Sequence, residues 1–134
     1  MSYSDNVATQ IATILENDGV GVFATDIFIS KEPESPNDCI TIYKTGGTPD
    51  DCLDVDERSS EVSNLQVRVR ASKLTDAHDN MEEVRDSLEK RLVKLGDDYL
   101  RIWMTSLPVD LQRDTHNRAI VTANFSCMRW YDPS

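Results

Sequence analysis

Cysteine, histidine and glycine are scarce in this chain of 134 residues, numbering three, two and five. Cys39, Cys52 and Cys127 are odd in number and share no C-x-x-C spacing. That argues against a disulfide framework and against a zinc site, and reduced thiols are the expectation. No serine stands in G-x-S-x-G and no histidine in H-E-x-x-H, while Gly46-Gly47-Thr48-Pro49 lacks the Lys-Ser or Lys-Thr of a phosphate-cradling loop. Bases are few as well: 14 Lys and Arg face 24 Asp and Glu, a formal net charge of −10. Free, non-specific nucleic-acid binding depends on cations that neutralise phosphates, so this balance disfavours it. No apolar run approaches the roughly 18 residues of a membrane span, and residues 1–10 lack the basic and apolar regions of a secretory signal. The expectation is a soluble protein made in the cytoplasm, with no cofactor and no membrane partner. What is present suffices for a core, because 39% of the residues are hydrophobic and a chain of this length buries roughly two-thirds of its unfolded surface. The length fits a single domain over 1–134, and no repeat or linker divides it.

Val7, Ile11, Ile14 and Leu15 follow the spacing of one helical face and predict a helix over Asp5–Asp18, with Ser4 to cap its start and Gly19 its end. Strands are expected over Thr25–Ser30 and Cys39–Lys44, separated by a surface connection, Lys31–Asp38, that holds Pro33 and Pro36. The second strand is expected to stop at Thr45-Gly46-Gly47-Thr48-Pro49. Leu65, Val67, Val69 and Ala71 alternate with Gln66, Arg68, Arg70 and Ser72, the pattern of a strand with one buried face. Ala77, Met81, Val84, Leu88, Leu92 and Leu95 form a helical stripe that predicts one helix from Thr75 to Leu95, closed by Gly96. Acids at its start and Lys90, Arg91 and Lys94 at its end would suit the helix dipole. Tyr99–Leu107 and Arg118–Trp130 read as strands, with Pro108–Asn117 a polar turn between them. The fold class is therefore α+β, a mainly antiparallel or mixed sheet of about five strands packed against two main helices.

The candidate sites each have a functional and a plain reading. His78 and His116 lack ligand or catalytic spacing and read as exposed polar residues. Asp50–Glu61 holds six acids and one base, a net of −5, but no glycine at the centre of an EF-hand-like loop. It reads as a mobile acidic loop at about 46–64 that orders against a partner. Arg68 and Arg70 lie about 7 Å apart on one strand face, fit to grip phosphate or carboxylate, although pairing with acids of the same chain is the economical reading. Trp103, Trp130 and Tyr131 fit packing better than base stacking, since no basic groove accompanies them. No catalytic, cofactor-binding or metal residue emerges. The interface candidates are Asp50, Asp51, Asp54, Asp56, Glu57, Arg68 and Arg70.

Four features, in order, resemble a known family: the short N-terminal helix ending at Gly19; Pro36–Tyr43 running into Thr45-Gly46-Gly47-Thr48-Pro49; Leu65–Ala71 followed by the Thr75–Leu95 helix; and the final strand Ala119–Trp130. Together they look like the tail terminator, or minor capsid, proteins of long-tailed bacteriophages. The resemblance implies a virion structural protein, not an enzyme, assembled in the host cytoplasm. It would close into a homo-oligomeric ring, commonly a hexamer, at the head-proximal end of the tail, stopping tube growth and joining tail to head. Its partners would be itself, the tail-tube protein and a head-neck protein, with DNA passing through the ring without specific binding. Typical relatives have a shorter or less acidic segment where this chain has Asp50–Glu61. Arg68 and Arg70 of a neighbouring subunit are candidates to receive it. Two other classes fit the composition: a small acidic metal-binding enzyme using Asp50, Asp51, Asp54 or the histidine neighbourhoods, and a DNA-mimic inhibitor. Binding of a divalent ion by the monomer would favour the first, and one-to-one binding of a nucleic-acid enzyme the second.

Overall fold

The computed structural model describes residues 6–48, 60–89 and 92–131. Helix α1 spans Val7–Asn17, and its cap is Asn6, whose side chain accepts a 2.8 Å hydrogen bond from the Ala8 N–H. Ser4, expected in that role, lies outside the described residues. Val7, Ile11, Ile14 and Leu15 are all buried, as their spacing predicts. Strand β1 is shorter than expected, only Ile27–Ile29, and pairs in parallel with β2, Cys39–Thr48.

β2 does not stop at the glycine pair. A register shift between Lys44 and Gly46 lets the strand continue to Thr48 opposite Val62. Gly47 is required there, because a Cβ would stand 2.2 Å from the Val62 carbonyl oxygen. β3 spans Ser60–Ala71, so the ends of the expected 46–64 loop, 46–48 and 60–64, are paired strand. The rest of that expectation, 49–59, lies outside the described residues.

Helix α2 spans Leu74–Leu88 and buries Ala77, Met81, Val84 and Leu88. The expected continuation to Leu95 is wrong. Leu92–Leu95 is strand β4, which pairs with β5, Asp98–Leu111, across a two-residue Gly96-Asp97 turn. Gly96 supplies the φ of +58° that such a turn demands. Leu92 and Leu95 match the helical period only by coincidence, and Leu92 is 56% exposed. Of the bases expected at the helix end, Lys94 lies on β4 and Lys90 and Arg91 lie outside the described residues, and the last turn carries Arg85.

β5 also runs past the expected turn, through Pro108 to Leu111. Proline is tolerated because it falls in a register irregularity between Ser106 and Val109, where no ladder N–H is needed. β6 spans Ala119–Tyr131. The six strands lie in the order β1-β2-β3-β6-β5-β4, antiparallel except for β1 with β2. This is the α+β fold expected, with one more strand.

Both helices cover one face of the sheet. Ile40 and Ile42 of β2, Leu65, Val67, Val69 and Ala71 of β3, Leu100 and Ile102 of β5, and Val121, Ala123 and Phe125 of β6 form its core with the helix stripes. Neither helix is long and apolar enough to cross a membrane. The other face carries no helix among the described residues, and the candidate surfaces lie there.

Candidate functional site

One end of the open face is closed by the chain's own loop, 30–38, which crosses β2, β3 and β6. Three arginines hold it. The Arg70 guanidinium donates to the carbonyls of Pro36 (2.7 Å) and Asn37 (3.2 Å) and lies 3.4 Å from Glu32 Oε1. Arg68 Nε stands 3.0 Å from Glu32 Oε2, a charge contact whose geometry is too oblique for a good hydrogen bond. Arg118 donates to the Glu34 carbonyl and, at 2.8 Å, to Asp114 Oδ2. Asp114 also accepts from the backbone N–H groups of His116 and Arg118, so one carboxylate organises the turn before β6. Burial alone would raise its pKa, but the hydrogen bonds from Arg118 and His116 outweigh that and hold it below the ordinary 3.8.

The sequence-derived sites can now be placed. Arg70 is only 2% exposed and saturated by its own chain, whereas the Arg68 side chain keeps 30% exposure beside Glu32. The pairing with acids of the same chain is therefore present. Asp50, Asp51, Asp54, Asp56 and Glu57 lie outside the described residues. His78 contacts Asp110 across the α2–β5 junction, and His116 sits in the exposed turn 3.9 Å from Glu34. Among the described residues no group of three or more His, Cys, Asp or Glu side chains converges as metal ligands would. Burial, with a further push from Glu61 against the pull of Arg129, raises the Cys127 thiol to about 12. Burial likewise raises Cys39, although Arg70 and Arg118 oppose it. Thiolate chemistry at neutral pH is disfavoured at both.

Sequence reasoning missed two buried arginines, Arg118 and Arg129. Arg129 sits on the helix-facing side of β6, in the row of Ala123, Phe125 and Cys127, where an apolar residue would be routine. It pairs with Glu61 across β3 and donates to Gln10 Oε1 at 2.9 Å, while Gln10 donates to the buried Asp98 at 2.6 Å. This polar chain ties α1 to the ends of β3, β5 and β6. The readable signal was a lone charge in the apolar parity of a strand.

The other half of the open face is not covered by any described element and carries exposed apolar side chains among polar ones such as Arg101, Ser106 and Asn124. Trp103, Val109, Leu111 and Met128 are all exposed there, and Leu107, in the irregular part of β5, is 67% exposed. Tyr99 stacks on Trp130 at 5.7 Å, with the Lys94 ammonium 5.4 Å from the Tyr99 ring centre. β4 covers β5 only from Asp98 to Arg101, and no described strand pairs with the outer edge of β5 beyond that point. At the opposite margin of the sheet, Phe23, Ala24, Ile27, Phe28, Ile29 and Pro33 line a shallow groove of about 340 Å³ with Lys31. Both surfaces expose apolar side chains to water.

Comparison with known proteins agrees in kind. A family model described as bacteriophage tail terminator protein matches residues 14–129. A chain from the solved structure "Virion of native gene transfer agent (GTA) particle" superposes with a TM-score of 0.59, covering 95% of this chain and 87% of that one. At 13% identity that likeness is one of fold. No curated protein sequence matches the chain.

Proposed function

This chain belongs to the bacteriophage tail terminator protein family and is a structural protein of the phage tail, and from that premise we propose that it closes into a ring of six at the head-proximal end. The ring ends tail-tube growth and joins tail to head. The observation that carries this reading, beyond the family, is the group of exposed apolar side chains on β5 and β6: Trp103, Leu107, Val109, Leu111 and Met128. Exposed apolar side chains grouped on one strand cost free energy in water, and assembly removes that cost. The acidic balance suits a conduit, because a negative lining repels DNA and keeps it sliding. The tail-tube protein and a head-neck protein are the partners above and below the ring. Asp50, Asp51, Asp54, Asp56 and Glu57 are the proposed acidic contacts, with Arg68 the more accessible of the two arginines. No catalytic role is assigned to His78 or His116.

Native mass measurement with negative-stain imaging across concentration tests this, with and without tail-tube protein and divalent cations. Rings are the expected result. A chain that stays monomeric under every one of those conditions overturns the proposal.

A further inference from the structure

A sheet edge with unpaired N–H and C=O groups is a template for any extended chain that meets it, and soluble proteins blunt such edges with charges, prolines and bulges. The strands at the two margins of this sheet are short, three residues in β1 and four in β4. The long edge belongs to β5, because no described strand pairs with its outer side beyond Arg101. Leu107, Val109 and Leu111 are exposed along that stretch, which makes it a site for unwanted strand pairing. Several features converge there. The Met104 N–H donates to Glu89 Oε2 at 3.1 Å, an acceptor outside the sheet. Continuing the β4–β5 register, in which Leu92 faces Arg101, by three residues sets Glu89 opposite Met104, so its carboxylate stands in for a neighbouring strand. The other oxygen, Glu89 Oε1, accepts from Arg85 Nε at 3.1 Å, one helical turn back on α2, which fixes the side chain in place. Further along come register irregularities between Met104 and Ser106 and between Ser106 and Val109, with Pro108 inside the second.

We infer that Glu89, held by Arg85, guards the β5 edge against strand addition, and that Pro108 completes the block beyond it. A strand arriving at Met104 has to displace a charge-assisted hydrogen bond and set its own carbonyls beside the Glu89 carboxylate, acceptor against acceptor. Past that point Pro108 has no N–H to give, and the irregular register offers no straight ladder. Asp110, against His78 of α2, sets a charged side chain near the far end of the same stretch. The guard acts on the strand edge and leaves the open face, with Trp103 and Met128, to the ring contact proposed above.

Amide hydrogen exchange and sedimentation of the whole chain test this, at a concentration where the wild type is monomeric. Glu89→Ala removes the acceptor, and the Met104 amide is expected to exchange about tenfold faster or more, the scale of losing a hydrogen bond to a charged group. Glu89→Gln keeps an acceptor oxygen and is expected to restore most of the slow exchange, with Arg85→Ala between the two. Glu89→Ala combined with Pro108→Thr opens the whole edge. That chain is expected to sediment as open-ended species that grow with concentration, bind thioflavin T and gain exchange protection over 104–111. Circular dichroism matching the wild type establishes that a variant folds. Should the combined variant not fold, the Met104 exchange rates of Glu89→Ala and Glu89→Gln decide the matter. A Met104 amide that exchanges equally fast in the wild type and Glu89→Ala overturns the inference, and so does a folded Glu89→Ala, Pro108→Thr chain that stays monomeric.

Discussion

The two halves of the open sheet face solve the same problem in opposite ways. Over β2, β3 and the start of β6, the loop 30–38 lies on the sheet, and Arg68, Arg70 and Arg118 find acceptors within the chain. Along β5 and the end of β6, Trp103, Val109, Leu111 and Met128 have no such cover among the described residues. Both regions begin from strands with side chains pointing away from the helices. The first is finished by folding, and the second stays open in the single chain. A buried charge must be satisfied before the chain leaves solution, whereas an exposed apolar strip can wait, since it costs only area.

The comparison breaks most visibly at Arg70. Arg70→Ala leaves Glu32 and the Pro36 and Asn37 carbonyls facing a void, and stability is expected to fall by about 3–5 kcal/mol in urea unfolding. A loss under 1 kcal/mol would show that the loop is held by its backbone alone. Asp114→Asn is the next step down, at about 1–2 kcal/mol near neutral pH, because the amide keeps one acceptor and loses the charge facing Arg118. Its pH dependence has a definite sign. The folded carboxyl titrates below 3.8, so its contribution is complete above about pH 4 and is lost as pH falls through the depressed value. The gap between wild type and Asp114→Asn should therefore close in acid, and a gap that widens below pH 4 would refute the assignment. His78→Asn combined with His116→Asn comes third, with an expected loss of at most about 1 kcal/mol and rings unchanged, since both are surface contacts.

Where a pattern reported a local constraint, the fold was legible. Leu65–Ala71 alternates because one face of β3 is buried along its length, and the α1 stripe needs only its own spacing. β4 was hidden because four residues are too few to show a period of two, and Leu92 and Leu95 happen to extend the α2 stripe. The Gly96-Asp97 dipeptide before Tyr99 was the available sign of a hairpin. β5 outran its expected end because Pro108 reads as a stop unless an irregular register excuses its missing N–H. The arginine clamp was only half legible. That Arg68 and Arg70 share a face follows from strand geometry, but Arg118 reaches a carbonyl 84 residues away, a partner no local spacing announces. The apolar margin of β5 was not legible at all. Whether Val109 and Leu111 lie under a neighbour or in water depends on β4 being short, and β4 itself was not seen.

The smallest expected effect on stability sharpens the comparison most. Leu107→Asp sits in the uncovered region at 67% exposure, so the folded chain loses little packing when the side chain changes. Its unfolding free energy is expected to stay within about 0.5 kcal/mol of wild type, as for other surface substitutions away from caps and buried networks. If β5 were finished by folding, as β3 is, an aspartate there would strand a charge against apolar neighbours and cost several times more. If β5 is finished by assembly, the cost is absent from the monomer and appears only when subunits meet. One variant therefore separates the two regimes: urea unfolding of the monomer unchanged, ring formation weakened. A stability loss of 2 kcal/mol or more, roughly the value for burying an unpaired polar group, would place Leu107 in the self-satisfied half of the sheet and erase the contrast.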